Sequence, residues 1–169
     1  MTMKSPLRRA LRHVMCDRAD VHRVLPPPAL ARIEQAIGEG EARHGGQVCF
    51  AIEPALPIAR VWQGMTPRQR ALEAFGTLRV WDTEHNDGVL IYVLLADRDV
   101  EIVADRGIHA KVGDAAWNDI CRVMEKAFGA GRYADGIEEG IRAVSDLLAL
   151  HSPHVDGERN EIADKPVVL

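Results

Sequence analysis

The longest apolar run in the chain, Val89 to Ala96, is too continuous for a strand with one wet face and predicts a central strand covered on both sides. Val100, Ile102 and Ala104 then alternate with Glu101, Val103 and Asp105, the period of two expected of an adjacent antiparallel strand. A two-residue turn at Asp97-Arg98 sets Ala96 opposite Asp99 and Leu90 opposite Asp105, and brings Asp87 and Asp105 to the open end of the hairpin. In that register Val89, Ile91, Val93 and Leu95 share a face with Val100, Ile102 and Ala104. Leu90, Tyr92 and Leu94 share the other with Glu101, Val103 and Asp105.

Helical spacing governs the flanks. Leu7, Leu11, Val14 and Met15 fall on one face of a short helix whose remainder carries Arg8, Arg9, Arg12 and His13. Pro26 to Pro28 open a helix with Leu30, Ile33, Ala36 and Ile37 on its apolar face, stopped by Gly45-Gly46. Gln47 to Glu53 predicts the first strand, with Cys49 as core packing. A loop with a short turn near Trp62 follows, then a helix capped by Thr66 with Leu72, Phe75 and Leu78 on one face. Trp81 to Asp87 is a polar loop. After Gly107 a turn and loop reach Asp114, which predicts the cap of a helix carrying Trp117, Ile120, Cys121, Met124, Ala127 and Phe128. Tyr133, Ile137, Ile141, Val144 and Leu148 mark the last helix, on which Gly136 and Gly140 admit the close approach of another backbone.

Three strands and four or five helices in this order predict an α/β fold: an αβα sandwich around a small mixed sheet that contains an antiparallel hairpin, with helices on both faces. Residues 1–25 read as a basic amphipathic segment, 26–153 as the folded domain and 154–169 as a mobile tail.

The order and spacing of several short motifs resemble the TPM domain family. They are Asn86 to Tyr92, Val100 to Ile108, Asp114, Trp117, Gly131-Arg132-Tyr133, and Gly136, Ile137 and Gly140, within a span of roughly 29–153. The resemblance implies one further short strand, phosphatase activity as in some members, and calcium bound in a groove at the Asp87 end as in several. It also implies exported or membrane-anchored relatives. Asp105 stands where many relatives have Gly.

Composition narrows the chemistry. The chain has 169 residues, 47% of them hydrophobic, enough for one sizeable core, and its net charge of -4 gives no general attraction to nucleic acid. The odd count of three cysteines without C-x-x-C spacing argues against a disulfide framework or a zinc ribbon. With no apolar run of membrane-spanning length and no secretory leader, the expected location is the cytoplasm. Arg43-His44-Gly45 precedes a strand instead of following one, and Asp97-Arg98-Asp99 continues into Glu101, so both mimics of phosphatase signatures are chance matches. No cysteine has an arginine six residues on, which excludes a cysteine phosphatase.

The acidic residues remain. Asp87 and Asp105 at one sheet end, with Asp82, Glu84 and Asp114 entering or leaving nearby, would suit a hard cation, Ca²⁺ or Mg²⁺, and no organic cofactor is indicated. The plainer account makes these residues turn, cap and solvated loop groups. The expected function is therefore a divalent-cation-binding accessory or interaction module. The alternative is a metal-dependent phosphatase acting on phosphomonoesters, with Arg106 meeting the phosphoryl group. An unknown protein partner, itself membrane-associated, fits the module. The basic N-terminal helix fits weak contact with an anionic membrane surface, or more simply a solvated helix docking its leucine face on the domain.

Overall fold

The computed structural model describes residues 6–154 and 159–169. Its sheet has the strand order β3-β2-β1-β4, formed by β1 (Gln47–Glu53), β2 (Gly88–Leu94), β3 (Asp99–Ala104) and β4 (Val167–Val168). β2 runs parallel to β1 and antiparallel to β3, and β4 joins β1 in parallel. Every residue of β1 and of β2 is buried, as a continuous apolar run requires of strands covered on both faces.

The pleat sorts the core into two layers. Val48, Phe50 and Ile52 line up with Val89, Ile91 and Val93 and with Val100 and Ile102. This face is covered by α2 (Arg18–Val24), α3 (Pro27–Glu41), α7 (Asp114–Gly129) and α8 (Tyr133–His151). The other face, with Cys49, Ala51, Leu90, Tyr92, Leu94 and Val103, lies under α1 (Pro6–Met15), α4 (Ile58–Trp62) and α5 (Pro67–Thr77). A further short helix, α6 (Arg106–Val112), fills the stretch expected to be turn and loop. On α7 and α8 the apolar positions read from helical spacing are the buried ones, and the two helices meet closely. A Cβ at Gly136 would press on Ala127, and one at Gly140 on Met124.

Several expectations are corrected. The hairpin pairs Leu94 with Asp99 and Leu90 with Val103, two residues away from the expected register. The cause is a longer connection, a 3₁₀ turn over Leu95–Asp97 followed by Arg98 at φ 53°. A shift of two leaves each side chain on its expected face. Asp114 does not cap α7; Gly113 at φ 82° holds the cap position and Asp114 lies in the first turn. The helix α5 buries Ala71 and Ala74, while Leu72 is exposed, because the close approach of α5 to the sheet leaves room for small side chains. Residues 159–169, expected to belong to a mobile tail, are docked: Gln47 Oε1 accepts from the backbone of Glu161 and Ile162, and β4 supplies the further strand.

Both long edges of the central pairing are stopped by side chains. Glu41 accepts the Val48 N–H on the outer side of β1 (2.8 Å). On β3, Glu125 accepts the Val100 N–H (3.2 Å) and Arg68 donates to the Ile102 carbonyl (2.6 Å). Such plugs remove the unpaired groups that would template another strand.

Where β2 begins, a Cβ on Gly88 would run into the Val80 carbonyl, a backbone atom that cannot rotate away. Gly88→Ala is expected to lower stability by about 3 kcal/mol, as overpacking against fixed structure does. Gly129→Ala, at a position open to solvent space, should be neutral or slightly stabilising, and urea denaturation of both variants measures the contrast.

Candidate functional site

The start of β2 and the end of β3 lie together, so Asp87 and Asp105 share one end of the sheet, with Asp105 N–H donating to the Gly88 carbonyl (2.8 Å). Gly88 faces Asp105 across the ladder, and strand alternation directs Asp87 to the opposite face. Asp87 is buried; its Oδ2 accepts from Ser152 Oγ (2.6 Å) at the end of α8, and its backbone N–H donates to Thr83 Oγ1 (3.2 Å). Asp105 caps α6, its Oδ1 accepting from Arg106 N–H (2.7 Å), while its Oδ2 is buried without a hydrogen-bond partner. Arg106 opens α6 as an exposed residue. Asp82 is exposed and pairs with Arg79. Asp114, 80% exposed at its side chain, stands 3.5 Å from His109 Nε2. Glu84 gives its backbone N–H to Glu161. Asp87 and Asp105 thus come to one end, while Asp82 and Asp114 are held in local pairings with Arg79 and His109, and Glu84 is fixed through its backbone. Among the described residues no three His, Cys, Asp or Glu side chains gather as a metal-holding group.

A second polar cluster lies at the turn end of the hairpin. Arg9 donates from Nε (3.0 Å) and from a terminal nitrogen (2.9 Å) to Asp97 Oδ2, and Arg12 donates to Oδ1 (3.0 Å). His13 Nδ1 accepts the Leu56 N–H (3.0 Å), so the ring proton is on Nε2, which stands 3.3 Å from Asp97. Burial opposes the Asp97 charge, but the hydrogen bonds from His13 and Arg9 and the charge of Arg9 outweigh it and bring this carboxyl down to about 2. Asp99 behaves oppositely. Burial, then the charges of Glu101, Glu125 and Asp97, push it up to about 7. Nearby, Tyr92 donates to Glu53 Oε2 (2.6 Å), and Arg70 grips both oxygens of that carboxylate (2.8 and 3.2 Å).

This cluster was not readable as a site. Its signal is a contact between residues 88 positions apart, and Asp97 resembles an ordinary turn residue until α1 is placed over it. The arrangement also answers the Asp97-Arg98-Asp99 mimic. One aspartate is bound by two guanidinium groups and the other is pushed toward its neutral form, so neither is a free nucleophile. The three thiols are likewise quiet: burial first, then acidic neighbours, push Cys16 and Cys49 up to about 11 and Cys121 to about 12.

A cleft of about 340 Å³ beside β3 is lined by Arg68, Glu101, His109, Asp114 and Trp117. Burial raises Glu101, and Arg68, which bridges Glu101 (3.3 Å) and the Ile102 carbonyl, works against that rise. Both signs of charge therefore meet in this cleft.

A four-stranded mixed sheet between two helical layers, with its charges engaged at both ends, defines a compact α/β sandwich module. The chain belongs to the TPM domain family: the family model matches residues 19–147. It is similar in structure to the BA42 protein of the psychrophilic bacterium Bizionia argentinensis, with 24% identity and a TM-score of 0.76 over 86% of this chain and 95% of that one. It is also similar to the N-terminal domain of a protein from P. gingivalis, with 20% identity and a TM-score of 0.58 over 92% of this chain and 99% of that one. At these identities the likeness is one of fold. No curated protein matches the chain.

Asp97→Asn removes the charge that two arginines share. Breaking such a pair leaves cations without their counter-ion, and because Arg12 is partly exposed the expected loss is about 2 kcal/mol, below the range for full burial. The folded-state value of Asp97 is depressed, so its contribution is fully present above the ordinary value of 3.8 and is lost as the pH falls toward about 2. Thermal melts across that window should show the parent losing stability faster than Asp97→Asn.

Proposed function

We propose that this TPM domain is an accessory or interaction module that acts by docking to a partner surface. The observation that supports this reading is the outward apolar face of α1. Leu7, Leu11, Val14 and Met15 are between 57 and 72% exposed, and the helix buries Ala10 and His13 instead. Beside it, α4 leaves Ile58 and Trp62 exposed one turn apart. An apolar stripe of this kind on a small domain marks a contact surface. Of the acidic residues with a claim to chemistry, Asp82, Asp87 and Asp114 are meanwhile engaged in ties within the fold, and Asp105 through one oxygen.

The test is whether the face is open in solution. The native protein should bind an apolar fluorescent dye, and the double variant Leu7→Asp/Leu11→Asp should lose most of that signal with no fall in melting temperature, since both positions are exposed. Dye binding that survives the substitutions would remove the reading.

Asp105 Oδ2 supports a second, cation-binding reading. A buried carboxylate oxygen without a donor is a ready ligand for a hard cation; Asp87, at the same end, lies on the opposite face and is tied to Ser152. Asp105 would hold Ca²⁺ or Mg²⁺ directly, and the cation would supply the positive charge that this oxygen lacks. The exposed Asp82 and Asp114 fit this role less well, being paired elsewhere. Millimolar Ca²⁺ should then raise the melting temperature by mass action, and Asp105→Asn should abolish the rise. The phosphatase alternative further requires turnover of a phosphomonoester that Asp105→Asn and Arg106→Ala lose together. Calcium stabilisation without turnover supports the module.

A further inference from the structure

We propose that the corner formed by α1 and α4 is a membrane-contacting face that takes anionic phospholipid headgroups, with Leu7, Leu11, Val14 and Met15 entering the headgroup boundary beside Trp62. This rests on the docking reading above and commits it to one partner.

The orientation of α1 comes first. A basic amphipathic helix lying on its own domain ordinarily buries its leucine face and leaves its cations in water. Here the reverse holds. Arg9, Arg12 and His13 are turned inward on Asp97, and the body takes Ala10. The clamp therefore presents the apolar stripe outward as a fixed surface, so no ordering of the helix is needed when it meets a partner.

Charge selects the partner. Arg8, on α1 beside the apolar stripe, is exposed and forms no ion pair among the described residues, and α1 contains no acidic residue. Asp17, which follows it, is used to cap α2. Two-fold pairing of α1 with a second copy would set Arg8 against its own kind on a helix that carries no acid of its own. A groove on an acidic protein that accepted α1 would also have to accommodate α4, which is packed beside it with Trp62 59% exposed. A bilayer boundary accepts both helices at once, and it is a depth at which tryptophan is favoured. One short helix holds to neutral lipid only marginally, so the unpaired Arg8 makes anionic headgroups the condition for binding. Among the described residues no helix is long and apolar enough to cross the bilayer, and the contact is one of lying on it.

The experiment is flotation of the full chain with vesicles of phosphatidylcholine alone and of phosphatidylcholine with equimolar phosphatidylglycerol. Binding to the mixed vesicles, little binding to the neutral ones, and release by salt are expected. Leu11→Asp should weaken the partition about tenfold, the scale of one leucine returned to water, and Arg8→Glu should weaken it on mixed vesicles alone. Neither substitution should move the melting temperature. Failure of the parent to float, equal binding to both lipids, or indifference to Leu11→Asp would each overturn the proposal. Self-association in sedimentation velocity that Leu11→Asp abolishes would assign the face to a second copy and overturn it as well. Dye binding that persists when flotation fails separates a wrong partner from a wrong docking face.

Discussion

The parallel pairing of β1 with β2 is the constraint from which the other placements follow. Seven consecutive residues in each strand are buried, so neither face of the pair can be left to water. Parallel strands also need a crossover, and the segment that provides it, α4 and α5, covers one face on the way. The other face is closed by α2, α3, α7 and α8, which means that residues from both ends of the chain must arrive before the central pair is dry. Burial of the middle thus dictates the positions of the termini.

Charge is handled differently at the two ends of this sheet. At the open end Asp87 and Asp105 are each tied to a helix terminus, the last turn of α8 and the first of α6, and so serve to orient helices. At the turn end, cations from α1 and α5 reach over the strands to Asp97 and Glu53. Oppositely shifted neighbours result. Asp97 is kept ionised by cations, while Asp99, two residues on and surrounded by carboxylates, holds its proton to about 7. Their difference comes from which partners the fold delivers, since the two residues are chemically identical.

Legibility followed the range of the signal. The bounds of β1, the two faces of the hairpin and the buried stripes of α7 and α8 rest on periodicity within a few residues, and they were readable. The hairpin register slipped by two because Arg98 adopts a left-handed conformation that its residue type does not announce. The strand β4 is two residues long, too short to show a period, and is recognised only by its pairing with Ala51 and Ile52. The outward face of α1 was unreadable for a related reason: its orientation is decided by Asp97, which lies far along the chain. Asp87 was placed at the correct end, yet its bond to Ser152 depends on where α8 stops.

The acidic side chains over β1 and β3 have a consequence beyond local hydrogen bonding. Glu41 belongs to α3 and Glu125 to α7, so the Val48 and Val100 amides are covered only while those helices are seated. Helix docking and protection against runaway strand addition are therefore a single event. A lesion that loosens either helix, even one remote from the strands, would expose a template for polymerisation before the sheet itself had melted, and the colloidal lifetime of the protein would be set by its helices.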